Sequence, residues 1–349
     1  MSNYASAVLA TGQAKVTAKN QIPEQRHKTP TVFELALKNQ EYSIPNAQEL
    51  RKSPLRPVDI NYFTSVTPGS ATTKAYNHSG TYGDSGKVNL VYVSHVETFG
   101  IPKKIAANSI FEYQNIFDNL YEQKWKNLRT RHDNSALSFL HANRVQLLGA
   151  VMNPRLASAA PGTWNATNFA LEIASGNANL FIQKVKTAMA ASLYSGELDI
   201  VSDLQLAAAF DYASQQGAGN SANTAFQFAG TNIAVTQDQI DSAYAKGAVY
   251  ALPKGMLSGL NWNEQLNRIG LNDDQGGAIG VLGTIADPFG SGAVADISQY
   301  TQRADTSANT YGGSTQDFVD QWEITMTVGY ALPPLSLAGD SVVMEIAQV

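Results

Sequence analysis

Gly290-Ser291-Gly292-Ala293-Val294-Ala295 is the string with the most enzyme-like spacing in this 349-residue chain. A G-x-G-x-x-A run lets backbone amides approach a pyrophosphate when it follows a strand, opens a helix and has an acidic residue about 20 positions on. An apolar strand, Ala278 to Ile285, precedes it, and Asp317 stands at a tolerable distance. Asp296 to Gln302 is nevertheless a poor helix, and no second parallel strand of suitable character returns. A glycine turn is the better reading. Asn272-Asp273-Asp274-Gln275-Gly276-Gly277 imitates a calcium loop, but the twelfth position, where an EF-hand carries Glu, is Gly283. An exposed turn fits it better. The five histidines, His27, His78, His95, His132 and His141, include no i, i+4 pair and no H-E-x-x-H zinc motif. The absence of Cys excludes disulfides, thiolate metal sites and a Cys nucleophile. No G-x-S-x-G elbow supports a serine hydrolase. Asp317 and Asp320 lie in a strand-like context near Trp322 and read as surface residues. Trp125, Trp164, Trp262 and Trp322 read as core or interface anchors. The residues thus mark no catalytic centre, cofactor site or metal site, and the chain reads as a non-enzyme.

Composition points elsewhere. Charged residues make up 15% of the chain, against about 25% in ordinary soluble proteins, while the hydrophobic fraction is an ordinary 44%. Uncharged polar residues and Ala have taken the place of charge. A net charge of −5 excludes a strongly basic nucleic-acid binder and, at this hydrophobicity, a disordered chain. Interface cores are depleted in Lys, Glu and Asp, so scarce charge suits a surface covered by neighbouring subunits. The charge that remains is split: residues 1–155 carry +7 and residues 156–349 carry −12. Such asymmetry suits complementary faces on one chain. Met1 to Asn20 lacks the basic and apolar regions of a secretory signal, and no apolar run approaches the ~20 residues that span a bilayer.

The elements that would position these faces follow from pattern. Residues 1–58 read as an arm punctuated by Pro23, Pro30, Pro45, Pro54 and Pro57, with one good helix candidate at Thr31 to Asn39. Ile60 to Val66 and Lys87 to Val96 alternate as strands. Thr72 to Asp84 between them has too few hydrophobes for a core face and reads as a protruding hairpin. Ser109-Ile110-Phe111-Glu112 fits a capping box, and Ile110, Tyr113, Phe117, Leu120 and Leu128 continue a helical stripe to about Asn143, some 50 Å of helix. A helix is expected from Asn179 to Tyr194, a strand at Leu198 to Val201, and an Ala-rich helix capped by Asp203 and running to Gln216. Phe226 to Phe228, Ile233 to Val235, Ala248 to Leu252, Ala278 to Ile285, Phe318 to Tyr330 and Ser341 to Ile346 read as strands, and no 20–50-residue repeat suggests a solenoid.

An arm, a protruding hairpin, a long helix and a central α/β region, in that order, resemble the major capsid proteins of tailed bacteriophages with the Hong Kong 97-type fold. Gly83-Asp84-Ser85-Gly86-Lys87 followed by Val88 to Val96 is similar to the return strand of that family's extended loop. Thr98-Phe99-Gly100-Ile101-Pro102 is similar to its lead into the peripheral domain. Asp199-Ile200-Val201-Ser202-Asp203, Ala248 to Gly255 and the strand Phe318 to Tyr330 resemble further parts of the fold. The resemblance implies an α+β class with a 1–58 arm, a 59–99 extended hairpin, a 100–178 peripheral domain with its spine helix, a 179–315 axial domain and 316–349 return strands. It also implies homo-oligomerisation into pentamers and hexamers that tile an icosahedral shell around double-stranded DNA. Portal and scaffolding or decoration proteins, and non-specific contact with the packaged DNA, would complete the partners; no membrane is involved. The place implied is the virion, assembled in the host bacterial cytoplasm.

Some members carry a cleavable N-terminal scaffold of about a hundred residues, which the roughly 58 residues before this hairpin do not match. Some also join a hairpin Lys to an Asn of a neighbour. Lys74 and Lys87 sit in the candidate hairpin, where a solvated or salt-bridged Lys is the favoured reading. Lys74, Tyr76, Tyr82 and Lys87 are the candidate inter-subunit contacts. Two alternatives stand beside the viral reading: an encapsulin-type nanocompartment shell, and a soluble α/β enzyme holding a nucleotide at the Gly290 turn. If the +7 and −12 regions meet between copies, assembly followed by light scattering should weaken as salt is raised. Indifference to ionic strength would reduce the split to mere composition.

Overall fold

The Ser109 hydroxyl accepts the amide of Glu112 at 3.3 Å and opens a helix that runs unbroken from Ile110 to Ala142. The cap satisfies one of the orphan donors of the first turn. This computed structural model describes residues 2–19, 29–39, 58–63, 85–90, 92–103, 105, 109–146, 162–174, 180–192, 194, 196–207, 231–262, 279–303, 318–333 and 341–349. The helices are α1 (Ser2–Lys19), α2 (Thr31–Lys38), α3 (Ile110–Ala142) and α4 (Phe181–Ala191). The strands are β1 (Val58–Phe63), β2 (Ser85–Leu90), β3 (Tyr92–Pro102), β4 (Thr163–Asn165), β5 (Ala170–Ile173), β6 (Leu198–Asp203), β7 (Thr231–Thr236), β8 (Ala248–Pro253), β9 (Ser258–Trp262), β10 (Ile279–Ala286), β11 (Val294–Arg303), β12 (Phe318–Ala331) and β13 (Met344–Gln348).

The inward face of α3 is largely aromatic. Tyr113, Phe117, Tyr121, Trp125 and Leu128 are fully buried, at steps of three or four residues. Phe117 meets the Trp322 ring edge-on at 4.7 Å between centroids, and Phe99 lies 5.6 Å from Phe117. These rings seat α3 on β3 and β12, and each contributes roughly 1.5–3 kcal/mol of burial. Ile110, expected in the stripe, is instead 53% exposed.

β1 and β2 form an antiparallel pair, from Val58 opposite Leu90 to Phe63 opposite Ser85. The second sheet has the order β10-β11-β12-β3, all antiparallel, with β9 also pairing β12. β3 follows β12 from Val319 to Gly329, so β11 and β9 share the other edge of β12 end to end. Asn261 splices that junction: its amide donates to the carbonyls of Val294 and Thr327, each at 3.1 Å, and its Oδ1 accepts Val294 N at 2.7 Å. The third sheet runs β4-β5-β13-β8-β6-β7, with parallel pairs β5–β13 and β6–β7. α4 covers it with Phe181, Val185 and Met189 against Ile200, Val249 and Ile346. The class is α+β, as expected.

Several expectations change. The first residues are not an extended arm: Ser2–Lys19 is a helix, and Ala5, Val8, Leu9 and Val16 bury one face of it. It docks on α3 at Gly12, where an added Cβ would lie 2.6 Å from the Phe117 ring. Asp203 stands directly before residues 204–207, which are helical as expected, but its side-chain bonds run elsewhere. Its two oxygens accept Ile240 N at 2.6 Å and Ala248 N at 2.9 Å, which fixes the loop into β8. Asp296 to Gln302 is strand β11, and Ser258–Trp262 is a strand that pattern did not reveal. Residues 279–303 thereby join β3 and β12 in one sheet, whereas Met344–Gln348 sits between β5 and β8 in the other. Sheet membership therefore cuts across the expected 179–315 and 316–349 division. The strand expected at Phe226 to Phe228 and most of the Ala-rich helix lie outside the described residues.

α2 is the expected helix, but its N-cap is Pro30, which has no capping side chain. Asp133 of α3 supplies the cap from across the core, its Oδ1 accepting Val32 N at 2.9 Å and Phe33 N at 3.0 Å. Replacing Asp133 with Ala should cost roughly 2–3 kcal/mol, because two interior amides lose their acceptor. Asp133→Asn, which keeps an acceptor oxygen, should recover part of that. Urea unfolding of both variants checks this; equal stability of D133A and the parent would remove α2 docking from the account.

Candidate functional site

The sequence places its contact candidates in the β1–β2 hairpin. Lys87 lies in β2 opposite Asn61, while Lys74, Tyr76 and Tyr82 lie outside the described residues. The foot of the hairpin is held firmly. Leu90 is 2% exposed, and an added Cβ on Gly329 would sit 2.8 Å from Leu90 Cγ. Only glycine at 329 lets β2 approach β12 this closely.

The enzyme-like motifs resolve into structure. Gly290 and Gly292 have φ of +82° and +77° in a turn between antiparallel strands β10 and β11, and strand rather than helix follows. The turn consumes its own polar groups: Asp287 Oδ1 accepts Phe289 N at 3.0 Å, and the Ser291 hydroxyl donates to Asp287 Oδ2. This arrangement is not a dinucleotide cradle. The Asn272 turn and Asp317 lie outside the described residues. Asp320, expected at the surface, is 3% exposed and collects Thr301 Oγ1 at 2.7 Å, Gln299 Nε2 at 3.0 Å and the Tyr113 hydroxyl at 3.0 Å. Three donors for one buried carboxylate make it a structural knot between β11, β12 and α3.

Among the described residues, one Ser–His pair is close enough for chemistry. His95 Nε2 lies 2.8 Å from Ser135 Oγ. Ser135 sits within α3 and donates its hydroxyl to the Arg131 carbonyl at 3.0 Å, so the imidazole donates to Ser135 instead of drawing its proton. A nucleophile needs the opposite arrangement. His95 also meets His132 edge-on at 4.6 Å. His132 is wholly buried, bonded to the Met326 carbonyl at 3.1 Å and stacked on Phe33. Burial, aided by His95, pushes its imidazole down to about 3, so it stays neutral.

Ionic contacts tie α3 to the elements around it. Lys124 and Arg131 both pair with Glu97 on β3, at 2.9 and 3.1 Å. Lys15 of α1 pairs with Asp118 at 2.5 Å. Buried Arg129 joins Glu34 of α2 to Asp287, the latter at 3.3 Å. At the C-terminal end of α3 a second polar group assembles from remote segments. Arg144 Nε faces Glu345 of β13 at 3.0 Å, and His141 Nδ1 lies 2.7 Å from the Tyr250 hydroxyl of β8. Burial first, then Asp241, pushes the Glu345 carboxyl up to about 8. No local spacing announces this group, because its members come from α3, the segment after β7, and strands β8 and β13. Apolar side chains are also left in water: Phe111 is 80% exposed and Phe318 52% exposed, at the starts of α3 and β12.

No family model matches the sequence, and no curated protein matches it. Solved structures do. A chain of Mycobacterium phage Che8 aligns over 94% of this chain and 94% of its own, with a TM-score of 0.50 and 12% identity. A chain of the cyanophage Pam1 capsid asymmetric unit aligns over 93% of each, with a TM-score of 0.50 and 11% identity. The chain has a phage-capsid fold. In this capsid fold the hairpin foot, the long helix and the two larger sheets form one connected body, and no described helix is long and apolar enough to cross a membrane.

His132 gives the body a pH signature. Its folded value of about 3 lies below the ordinary value of 6.5, so only the unfolded chain takes up this proton as pH falls through that window. Stability should therefore drop from about pH 6.5 towards pH 3, by up to about 1.4 kcal/mol per pH unit from this one group. His132→Gln should be less stable at pH 7 and show a shallower loss on acidification. Urea unfolding across this range checks it; parallel pH profiles for parent and variant would refute the assignment.

Proposed function

We propose that this chain is the major capsid protein of a tailed bacteriophage. Copies gather into pentamers and hexamers that tile an icosahedral shell around packaged double-stranded DNA. The observation that carries this reading is the end-to-end likeness to a chain of the Pam1 capsid asymmetric unit, with 93% of each chain aligned. A fold shared over a whole chain constrains architecture more than function, so properties of this chain must add their weight. Charge is scarce, at 15% of residues, and large apolar side chains such as Phe111 stand exposed. Both suit a surface that neighbours cover.

In this reading α3 is the spine of a peripheral domain, supported by its long seat on β3 and β12, and the third sheet with α4 is the body of the axial domain. The part of the 59–99 segment that precedes β3 is the extended loop that laps a neighbour, with Lys74, Tyr76, Tyr82 and Lys87 as its contacts. The paired β1 and β2, anchored at Leu90, support a loop rooted in the second sheet. Portal, scaffolding or decoration proteins are the expected partners, contact with DNA is non-specific, and the working location is the virion. The protein acts by assembly rather than catalysis.

Expression of the full chain followed by electron microscopy tests the proposal. Shells containing nucleic acid are expected. Monomers or dimers that never form capsomers at any salt concentration would overturn it, and shells filled with an enzyme would move the assignment to encapsulins. Deleting Thr72 to Asp84 should leave a soluble, folded subunit that no longer forms shells. Unfolding of the deletion variant would instead put that stretch in the core.

A further inference from the structure

Three side chains with metal-ligand chemistry converge at the C-terminal end of α3. His141 offers Nδ1, while Asp241 and Glu345 each offer a carboxylate oxygen, and these atoms all lie within 4.8 Å of one another. Proximity alone would mean little, since acidic groups often cluster. The independent observation is the state of Glu345. Its side chain is 0% exposed, and Oε2 faces Arg144 Nε at 3.0 Å without a directed hydrogen bond. Apart from its contact with the Asp241 carboxylate, which needs a shared proton to be a hydrogen bond, Glu345 accepts no hydrogen bond from the described residues. Two carboxylates in contact in a buried site are satisfied either by a shared proton or by a bound cation that replaces it.

Arg144 meets only part of that demand. Its guanidinium also donates to the carbonyls of His141 and Asn168 and lies over the Phe169 ring at 5.6 Å. One Asp241 oxygen is fixed by Ala243 N at 2.8 Å, which orients the carboxylate. His141 Nδ1 accepts from the Tyr250 hydroxyl at 2.7 Å when it carries no proton, the form in which imidazole binds metals. Its side chain is 42% exposed and leaves a path from solvent.

We propose that His141, Asp241 and Glu345 form a binding site for a divalent first-row transition ion of the Zn2+ type, with water completing the coordination. One imidazole and two carboxylates suit Zn2+ better than Ca2+ or Mg2+, which prefer shells made of oxygen alone. Bonds of about 2.0–2.2 Å place tetrahedral ligands about 3.4 Å apart, so a small inward movement of the three side chains completes the cage. Capture exchanges the Tyr250 hydrogen bond for coordination. The ion would tie the end of α3, the segment after β7 and strand β13 together, and so lock the second sheet's helix to the third sheet.

Full-length protein stripped with EDTA and titrated with Zn2+ by calorimetry and thermal melting tests the site. The expected result is one ion per chain and a raised Tm. Affinity should fall at least about tenfold in Asp241→Asn and in Glu345→Gln, with no change in Glu323→Gln, an exposed carboxylate elsewhere. D241N keeps the test decisive if E345Q does not fold, because Asp241 is only partly buried. Binding weaker than about 1 mM, binding that D241N leaves unchanged, or tighter binding of Ca2+ or Mg2+ than of Zn2+ would each overturn the proposal.

Discussion

The structure depends on what the inward face of one long helix demands. α3 is too long for any single neighbour to cover, and its buried face carries polar groups among the rings. Arg129, His132 and Asp133 are each at most 5% exposed. Each must find partners in the interior, since an unpaired polar group there costs a few kcal/mol. They find them on segments remote in sequence: Arg129 on Glu34 and Asp287, His132 on the Met326 carbonyl, Asp133 on the first amides of α2. The helix thus acts as an assembly bench on which α1, α2, β3, β10 and β12 are fixed at defined heights.

The same logic repeats in the sheets. β12 is longer than either β9 or β11, and Asn261 supplies the hydrogen bonds that a continuous partner strand would have made. In the third sheet, Asp199 accepts the Asn39 side chain at 3.0 Å and Gly255 N at 2.9 Å, tying the end of α2 to the sheet. Buried carboxylates and amides serve as connectors between elements here, and the apolar clusters supply the bulk of the burial energy. Uncharged connectors of the Asn261 kind also fit a chain whose charge content is low.

Much of this was legible where the signal is local. Ser109 and Glu112 announce the start of α3, and the recurrence of Tyr113, Phe117 and Leu128 announces its face. β6, β8 and β12 were expected at Leu198 to Val201, Ala248 to Leu252 and Phe318 to Tyr330, and each runs only one or two residues further. α1 was not legible, because its docking face is built from Ala5, Gly12 and a few aliphatics, with no acidic residue in its first turn. β11 carries Asp296 and Ser298 on the face opposite buried Ala295 and Ile297, a weaker pattern than a buried run. The bonds of Asp203 were not legible for a general reason: an Asp ahead of helix formers is equally able to accept distant amides. The polar group around Glu345 could not be foreseen at all, since its members meet only through the fold, and the contact residues proposed for the hairpin rest on the resemblance alone.

The placement of β13 has a consequence for timing. Glu345 lies opposite Ala170 on one side and Tyr250 on the other, so the third sheet cannot close until the ribosome has released residues in the 340s. The seat of α3 on β12 must likewise wait for residues beyond 318. Contacts of such wide sequence separation slow folding, because loop closure precedes its reward. A nascent chain therefore holds half-built sheets until residues 318–348 have emerged. Both sheets thus close in one late stage of folding, with β12 and β13 as the pieces that complete them.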